Sequence, residues 1–308
     1  MDPGRKISVK GRIVAFIYRL FGKVGVKGNI EWNQGAYIFA IITNLRRRKL
    51  KGAEQLKRGF FLSMILVFAL LAAACGGGKS AGTATELRVG TDAQYPPFEK
   101  QEGNGEITGF DIEIISAVAK AEGMKVSVKH TGWDPLFEAV KRGKIDAGIS
   151  AMTITEDRLK SYDFSDPYFE AKQLLLVPVN SKVKTLKDLK GKQIGVQSGT
   201  TGEEVTKKAF GKTYSGIRGY DDTPAAIEDL VNGRVDGVVA DNGVVRFFMK
   251  QLDDRKFKVI EDPSFEAEHY GIVVKKGNTE LLDKINSGLK KIKEDGTYDQ
   301  IHSKYFGK

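Results

Sequence analysis

The chain of 308 residues is long enough for one large domain or two ordinary lobes with real cores, and because Cys75 is its only cysteine it can form no internal disulfide. A net charge of +10 suggests nucleic acid, yet residues 1–59 hold 14 Lys/Arg against 3 Asp/Glu, and the 35 basic and 36 acidic residues beyond them nearly cancel. A neutral body carries no electrostatic footprint for DNA or RNA, and with only His130, His269 and His302 available, Cys/His metal clusters are excluded too.

In chain order, residues 1–55 form a basic stretch with a short apolar patch at Ala36–Ile42, read as a non-native or misassigned extension. A secretory signal begins only near Leu56: Lys57-Arg58, the 15-residue uncharged run Phe60–Ala74, the small residues Ala72-Ala73-Ala74, then Cys75. The run is shorter than the about 20 apolar residues that span a bilayer. Ending in cysteine, it resembles the lipobox of bacterial lipoproteins, although Ala72 stands where that pattern usually has Leu. The resemblance implies cleavage before Cys75 and a diacylglycerol on its sulfur. Residues 56–74 are therefore expected to be a signal peptide and 75–85 the lipidated cysteine and a flexible tether. Gly76–Ser80 is not a phosphate loop, since a Walker motif needs Gly at position 73, which is Ala. A plain membrane anchor and a genuine basic cytoplasmic extension are the alternatives. If Leu56 is an alternative start, mass spectrometry of the unprocessed precursor finds no peptides between Ile7 and Asn44.

Strands and helices then alternate. Glu86–Gly90 reads as a strand, Phe110–Glu122 as an amphipathic helix through Ile112, Ile114, Ile115 and Val118, and Lys125–Lys129 as a strand. Helix Pro135–Arg142 leads through Gly143 to strand Ile145–Ile149, and Gln173–Val179 is a further apolar strand. A second set starts at Lys187–Leu189: strand Gln193–Gln197, helices Gly202–Phe210 and Pro224–Val231, strand Val235–Val239 and helix Val244–Lys250. Residues 136–150 echo residues 226–240 in charge, glycine and apolar type, each as helix, glycine cap and strand. Two α/β lobes built alike follow, with the carboxyl ends of their strands, carrying Ser150 to Thr153 and Asp241, facing a crevice.

Gly90-Thr-Asp-Ala-Gln-Tyr-Pro-Pro-Phe-Glu99, Gly109-Phe-Asp-Ile112, Ser150-Ala-Met-Thr-Ile-Thr-Glu-Asp-Arg158, Asp163-Phe-Ser-Asp-Pro-Tyr168, Gly195-Val-Gln-Ser-Gly-Thr-Thr201 and Asp295-Gly-Thr-Tyr298 stand in this order. Together they resemble the bacterial solute-binding proteins for polar amino acids, over about Leu87 to Phe306. The resemblance implies a two-lobed periplasmic-binding-protein fold of type II with two hinge crossover strands. The first lobe would take residues 86–174 plus 270–308, and the second 175–269.

An amino-acid zwitterion needs a fixed cation and a fixed anion out of bulk water. The resemblance implies that Arg158 clamps the carboxylate with a planar fork that lysine lacks, helped by Thr153 and backbone N–H groups near Thr201, and that Ala151 also lines the site. Alone, Arg158 reads as a solvated helix-start residue. Asp241 matches the position that receives the ammonium, with Ser150 beside it; alone it is a turn or N-cap residue before Asn242-Gly243. Tyr95 and Trp133 match positions that pack on the ligand side chain, while Phe98 is a neighbour that only packs in the plainer reading. Asp92 matches a carboxylate that meets a cationic tail, and Gln197 and Ala240 stand where glutamine-binding relatives carry cationic groups, which favours arginine, lysine or histidine.

No metal or cofactor is expected. The partners implied are a basic amino acid, the permease of an ATP-driven ABC importer and the membrane through the Cys75 lipid; the chain is expected to be a monomer on the extracytoplasmic face. Glutamine or another polar amino acid is one alternative ligand. A cyclohexadienyl or arogenate dehydratase on the same scaffold is the rival from another class, and a sensory receptor a further one.

Overall fold

The computed structural model describes residues 86–252 and 255–307. The expected extension, signal peptide, Cys75 and tether lie outside the described residues.

Burial in β1 (Glu86–Thr91) begins by alternation, with Leu87 and Val89 turned into the core. A three-stranded sheet follows, made of β2 (Gln94–Tyr95), β3 (Glu99–Gln101) and β4 (Ile107–Thr108). Helix α1 (Phe110–Ala121) buries Phe110, Ile114, Ile115 and Val118 on one stripe, as its spacing dictates. Gly109 just before it has φ 138°, and a Cβ there would sit 2.1 Å from the Phe98 carbonyl oxygen. Only glycine tolerates both conditions. Gly109→Ala is expected to cost about 3 kcal/mol or more, read from the denaturant midpoint; an unchanged midpoint would contradict this packing.

The chain continues through β5 (Lys125–His130), α2 (Trp133–Lys141), β6 (Ala147–Gly148), the single-turn α3 (Glu156–Leu159) and β7 (Tyr162–Phe164) to the long β8 (Phe169–Pro178). Beyond a 3₁₀ turn at Leu186–Leu189 come β9 (Ile194–Gln197), α4 (Thr201–Phe210), β10 (Ile217–Tyr220), α5 (Thr223–Val231), β11 (Gly237–Asp241) and α6 (Asn242–Met249). The chain closes with β12 (Phe257–Ile260), β13 (Ala267–Tyr270), β14 (Val273–Lys275), α7 (Thr279–Glu294) and α8 (Thr297–Phe306).

Two sheets result. One has the order β5-β1-β6-β14-β7, the other β10-β9-β11-β8-β12. The strands at 169–178 and 267–270 join them: β13 pairs antiparallel with β8 over Phe169–Lys172, after which β8 runs on between β11 and β12. These are the two crossover strands of a two-lobed α/β protein. The internal echo is structural as well. Helices α2 and α5 both end at a left-handed glycine, Gly143 at φ 66° and Gly233 at φ 69°, and feed β6 and β11. Each of those strands lies parallel to one neighbour and antiparallel to the other.

Several sequence-based boundaries shift: the strand expected at Val235–Val239 is Gly237–Asp241, and the helices expected from Pro135 and Val244 start at Trp133 and Asn242. The strand expected over Ile145–Ile149 is a full ladder only at Ala147–Gly148, although Asp146 N–H to Arg88 O at 2.8 Å and Ile149 N–H to Gly90 O at 3.1 Å carry single bonds on either side. Strand β8 starts four residues before the expected Gln173, because Phe169–Lys172 pairs only with a segment distant in sequence.

Candidate functional site

The floor of the crevice is built on the ends of β1 and β6. Just past β1, Asp92 is buried, and its N–H donates to Ser150 Oγ at 2.9 Å; that hydroxyl in turn donates to Glu99 Oε1 at 2.7 Å. Glu99 and Asp111 are both fully buried, and each keeps one carboxyl oxygen, Glu99 Oε2 and Asp111 Oδ1, without another hydrogen-bond partner among the described residues. Burial first, then repulsion from Asp111, pushes the Glu99 carboxyl well above its usual range, so it keeps its proton and can donate to Asp111. Asp111 accepts Ala151 N–H at 2.7 Å and the Tyr168 hydroxyl at 2.8 Å, and burial lifts it to about 7. Ala151 is the non-glycine residue with positive φ, 46°, among those described, and the Asp111 bond holds that strained backbone in place. Sequence reasoning missed Glu99 and Asp111 as supports of the floor, although both sit in the quoted motifs.

One side wall is aromatic. Trp133 opens α2 behind Gly132 at φ 76°, and Phe137 meets it edge-on at 5.1 Å. The Arg158 guanidinium lies 5.3 Å from both rings, with Nη1 donating to Thr153 O at 2.7 Å and Nη2 to Gly199 O at 3.2 Å. Rings and carbonyls thus aim a cation that sequence alone reads as solvated. Burial lowers its pKa, opposed by Glu204, Glu268 and Asp241, and a guanidinium keeps its charge regardless. Phe98 packs. Its ring is fully buried among Phe110, Phe169, Tyr270 and Phe306.

The opposite wall comes from the other sheet. Asp241 occupies the N-cap position of α6, yet its carboxylate makes no capping bond. It turns into the crevice and accepts from Tyr95 OH at 2.9 Å, Tyr270 OH at 2.5 Å and the Gln173 amide. Burial, then repulsion from Glu268, raises it to about 7 against the pull of those three donors. Gln197 donates to Asp92 Oδ2 at 3.1 Å across the crevice and accepts from Thr223 Oγ1 at 3.1 Å. Burial raises the pKa of Asp92, opposed by His130 and Gln197.

Glu268 on β13 is a residue the sequence reading missed. Its Oε2 accepts the hydroxyls of Thr153 and Thr201, each at 2.7 Å and one from each lobe, while Oε1 accepts the Gln173 amide at 3.0 Å. In this arrangement both threonines spend their single hydroxyl hydrogen on Glu268, so an incoming anion meets backbone N–H groups and Arg158. Gln173, Tyr270 and Glu268 lie on the crossover strands, where pairing distant in sequence brings them together, and no local spacing announces that.

Asp92, Tyr95, Trp133, Ser150, Ala151, Thr153, Arg158, Gln197, Thr201 and Asp241 all line one small cavity, joined by Thr200 at the start of α4. The cavity sets a hydrogen-bonded guanidinium and a buried carboxylate facing one another, with a second carboxylate on the floor. Such a constellation complements a small dipolar ion.

Comparison with known proteins gives the family. Residues 87–308 match the model of the bacterial extracellular solute-binding proteins, family 3. A probable histidine-binding protein of Neisseria gonorrhoeae is 40% identical over 247 residues, spanning 78% of this chain and 92% of that protein. The ABC transporter arginine-binding protein 1 of Escherichia coli K12 is 39% identical over 246 residues, 78% of this chain and 98% of that protein. The crystal structure of the arginine-, lysine-, histidine-binding protein ArtJ from Geobacillus stearothermophilus superposes with TM-score 0.70 at 47% identity, covering 73% of this chain and 96% of that one. With the match running across both lobes and the cavity between them, the chain belongs to the bacterial extracellular solute-binding proteins, family 3.

Proposed function

We propose that the protein captures a basic amino acid, arginine, lysine or histidine, between its lobes and delivers it to the permease of an ABC importer outside the cytoplasm. One observation carries this reading: Arg158 from one lobe, Asp241 from the other and Asp92 on the floor line the same cavity. Arg158 takes the ligand carboxylate, Asp241 its ammonium, and Asp92 a cationic tail between Tyr95 and Trp133. Thr153 and Thr201 supply backbone donors, Ala151 lines the cavity with its own N–H held by Asp111, and Ser150 holds Asp92 in place. The relatives whose names specify arginine, lysine or histidine support the choice.

Residues 86–174 and 270–308 form the first lobe in this proposal and 175–269 the second. Capture works by hinge closure on the crossover strands, as in periplasmic binding proteins generally. Contacts from Tyr95 to Asp241 and from Gln197 to Asp92 already bridge the lobes, and a ligand shifts the balance toward closure only by touching both. The protein is monomeric and held to the membrane by a lipid on Cys75; a Cys75→Ser chain that still labels with fatty acid would refute the anchor.

Asp92→Asn tests the tail assignment. It is expected to weaken arginine and lysine by about ten- to a hundredfold while leaving glutamine within about threefold. Isothermal titration decides it, and equal losses for all ligands would sink the assignment. A dehydratase would need a carboxylic acid presenting its proton to the ligand. The relatives named above are binding proteins by their names, which supports binding over catalysis.

A further inference from the structure

The functional reading leaves His130 unused. It ends β5, next to the end of β1, and it does not line the cavity. It reaches the site through Asp92: its Nδ1 lies 3.8 Å from Asp92 Oδ1, with the imidazole 35% exposed and the carboxylate 4%. The same Nδ1 accepts Ala93 N–H at 3.0 Å, so in this arrangement the ring proton sits on Nε2 and the imidazole is neutral. Asp92 Oδ2 is already bonded to Gln197. Oδ1 is therefore the oxygen left for a ligand tail, and it is the one that His130 faces.

We propose that His130 determines specificity through Asp92: once its Nδ1 is protonated it becomes a cation beside Oδ1, competes with a basic ligand tail, and makes the preference for basic over neutral amino acids fall in acid. The inference rests on the proposed role of Asp92 and deepens it. Histidine is the side chain that changes charge between about pH 5 and 8. A proton taken from solvent by Nδ1 ends its bond from Ala93 N–H and turns that nitrogen into a donor toward Asp92. The charged groups around the pair fit this. Asp222, at the N-terminus of α5 in the other lobe, acts on Asp92, as does Glu99 beneath it. Lys129, the next residue along β5, projects from the opposite face of the strand. Asp241, which also titrates, meets the ammonium shared by every amino acid, so it cancels in a ratio of two ligands.

The test is the ratio of affinities for arginine and citrulline, its uncharged isostere, measured by displacement on the full-length chain at about pH 8 and about pH 5. The unaltered chain is expected to lose about two- to fivefold of its arginine preference in acid, the worth of a partly screened ion pair. His130→Asn keeps an acceptor for Ala93 N–H and should hold the high-pH ratio at both values. His130→Lys, a permanent cation, should show the low ratio at both. If His130→Asn loses its preference in acid as the unaltered chain does, Asp92 itself is titrating and the proposal is overturned; an unaltered chain whose ratio ignores pH overturns it equally. Failure of arginine to bind at about pH 8 would defeat the functional reading as well, and it would show before any acidification.

Discussion

Arg158→Ala is expected to abolish capture of every α-amino acid, with affinity falling at least about a hundredfold, because truncating one partner of a buried charge pair costs 2–5 kcal/mol or more. The loss should not depend on the ligand side chain, since the guanidinium meets the carboxylate that all of them share. A guanidinium has five N–H donors; bonds to the carbonyls of Thr153 and Gly199 fix its plane and leave the rest for an anion. Lysine keeps the charge but neither the fork nor the stacking between Trp133 and Phe137. Arg158→Lys is thus expected to recover only part of the loss, remaining about tenfold or more below the native chain. Titration calorimetry measures both, with thermal melting as the check on folding. Arginine bound by Arg158→Ala at native strength would remove the guanidinium from the site.

Asp241→Asn should be as damaging. The carboxylate is buried and gathers hydrogens from Tyr95, Tyr270 and Gln173, a setting that favours an anion awaiting a cation. An amide in its place repels no ammonium but offers no charge, and it presents its own N–H to donors already there. A loss of about a hundredfold is expected for all amino acids at neutral pH. The pH profile is an independent arm. Burial lifts Asp241 to about 7, and an ammonium binds only its ionised form. Affinity should therefore be level above that value and fall as pH drops through it, by up to about tenfold per unit. Asp241→Asn should flatten this slope; a slope retained in the variant would assign the titration elsewhere.

How much of this was legible in the sequence depends on the range of the contacts. Helix α1 and the helix-glycine-strand echo announce themselves through local periodicity, since Phe110, Ile114, Ile115 and Val118 need no distant partner to fall on one face. The crevice was legible because strand ends carry the ligand groups of α/β folds and the motifs carried a family resemblance. What stayed hidden is long-range. Phe169–Lys172 alternates apolar and polar residues over only four positions, too short a run to announce itself, and its ladder forms against β13. Glu268 reads as one more surface acid until the crossover sets it between Thr153 and Thr201. His130 lies outside every quoted motif and gains meaning only because β5 ends beside Asp92.

The most direct test of the central claim compares arginine with agmatine, which keeps the guanidinium and amine and lacks the carboxylate, by isothermal titration of the full-length chain. Two fixed charges gripping one zwitterion predict arginine binding at about micromolar strength or tighter, near −8 kcal/mol, and no measurable heat from agmatine. Agmatine binding as tightly as arginine would contradict the account, because Arg158 would then have nothing to hold.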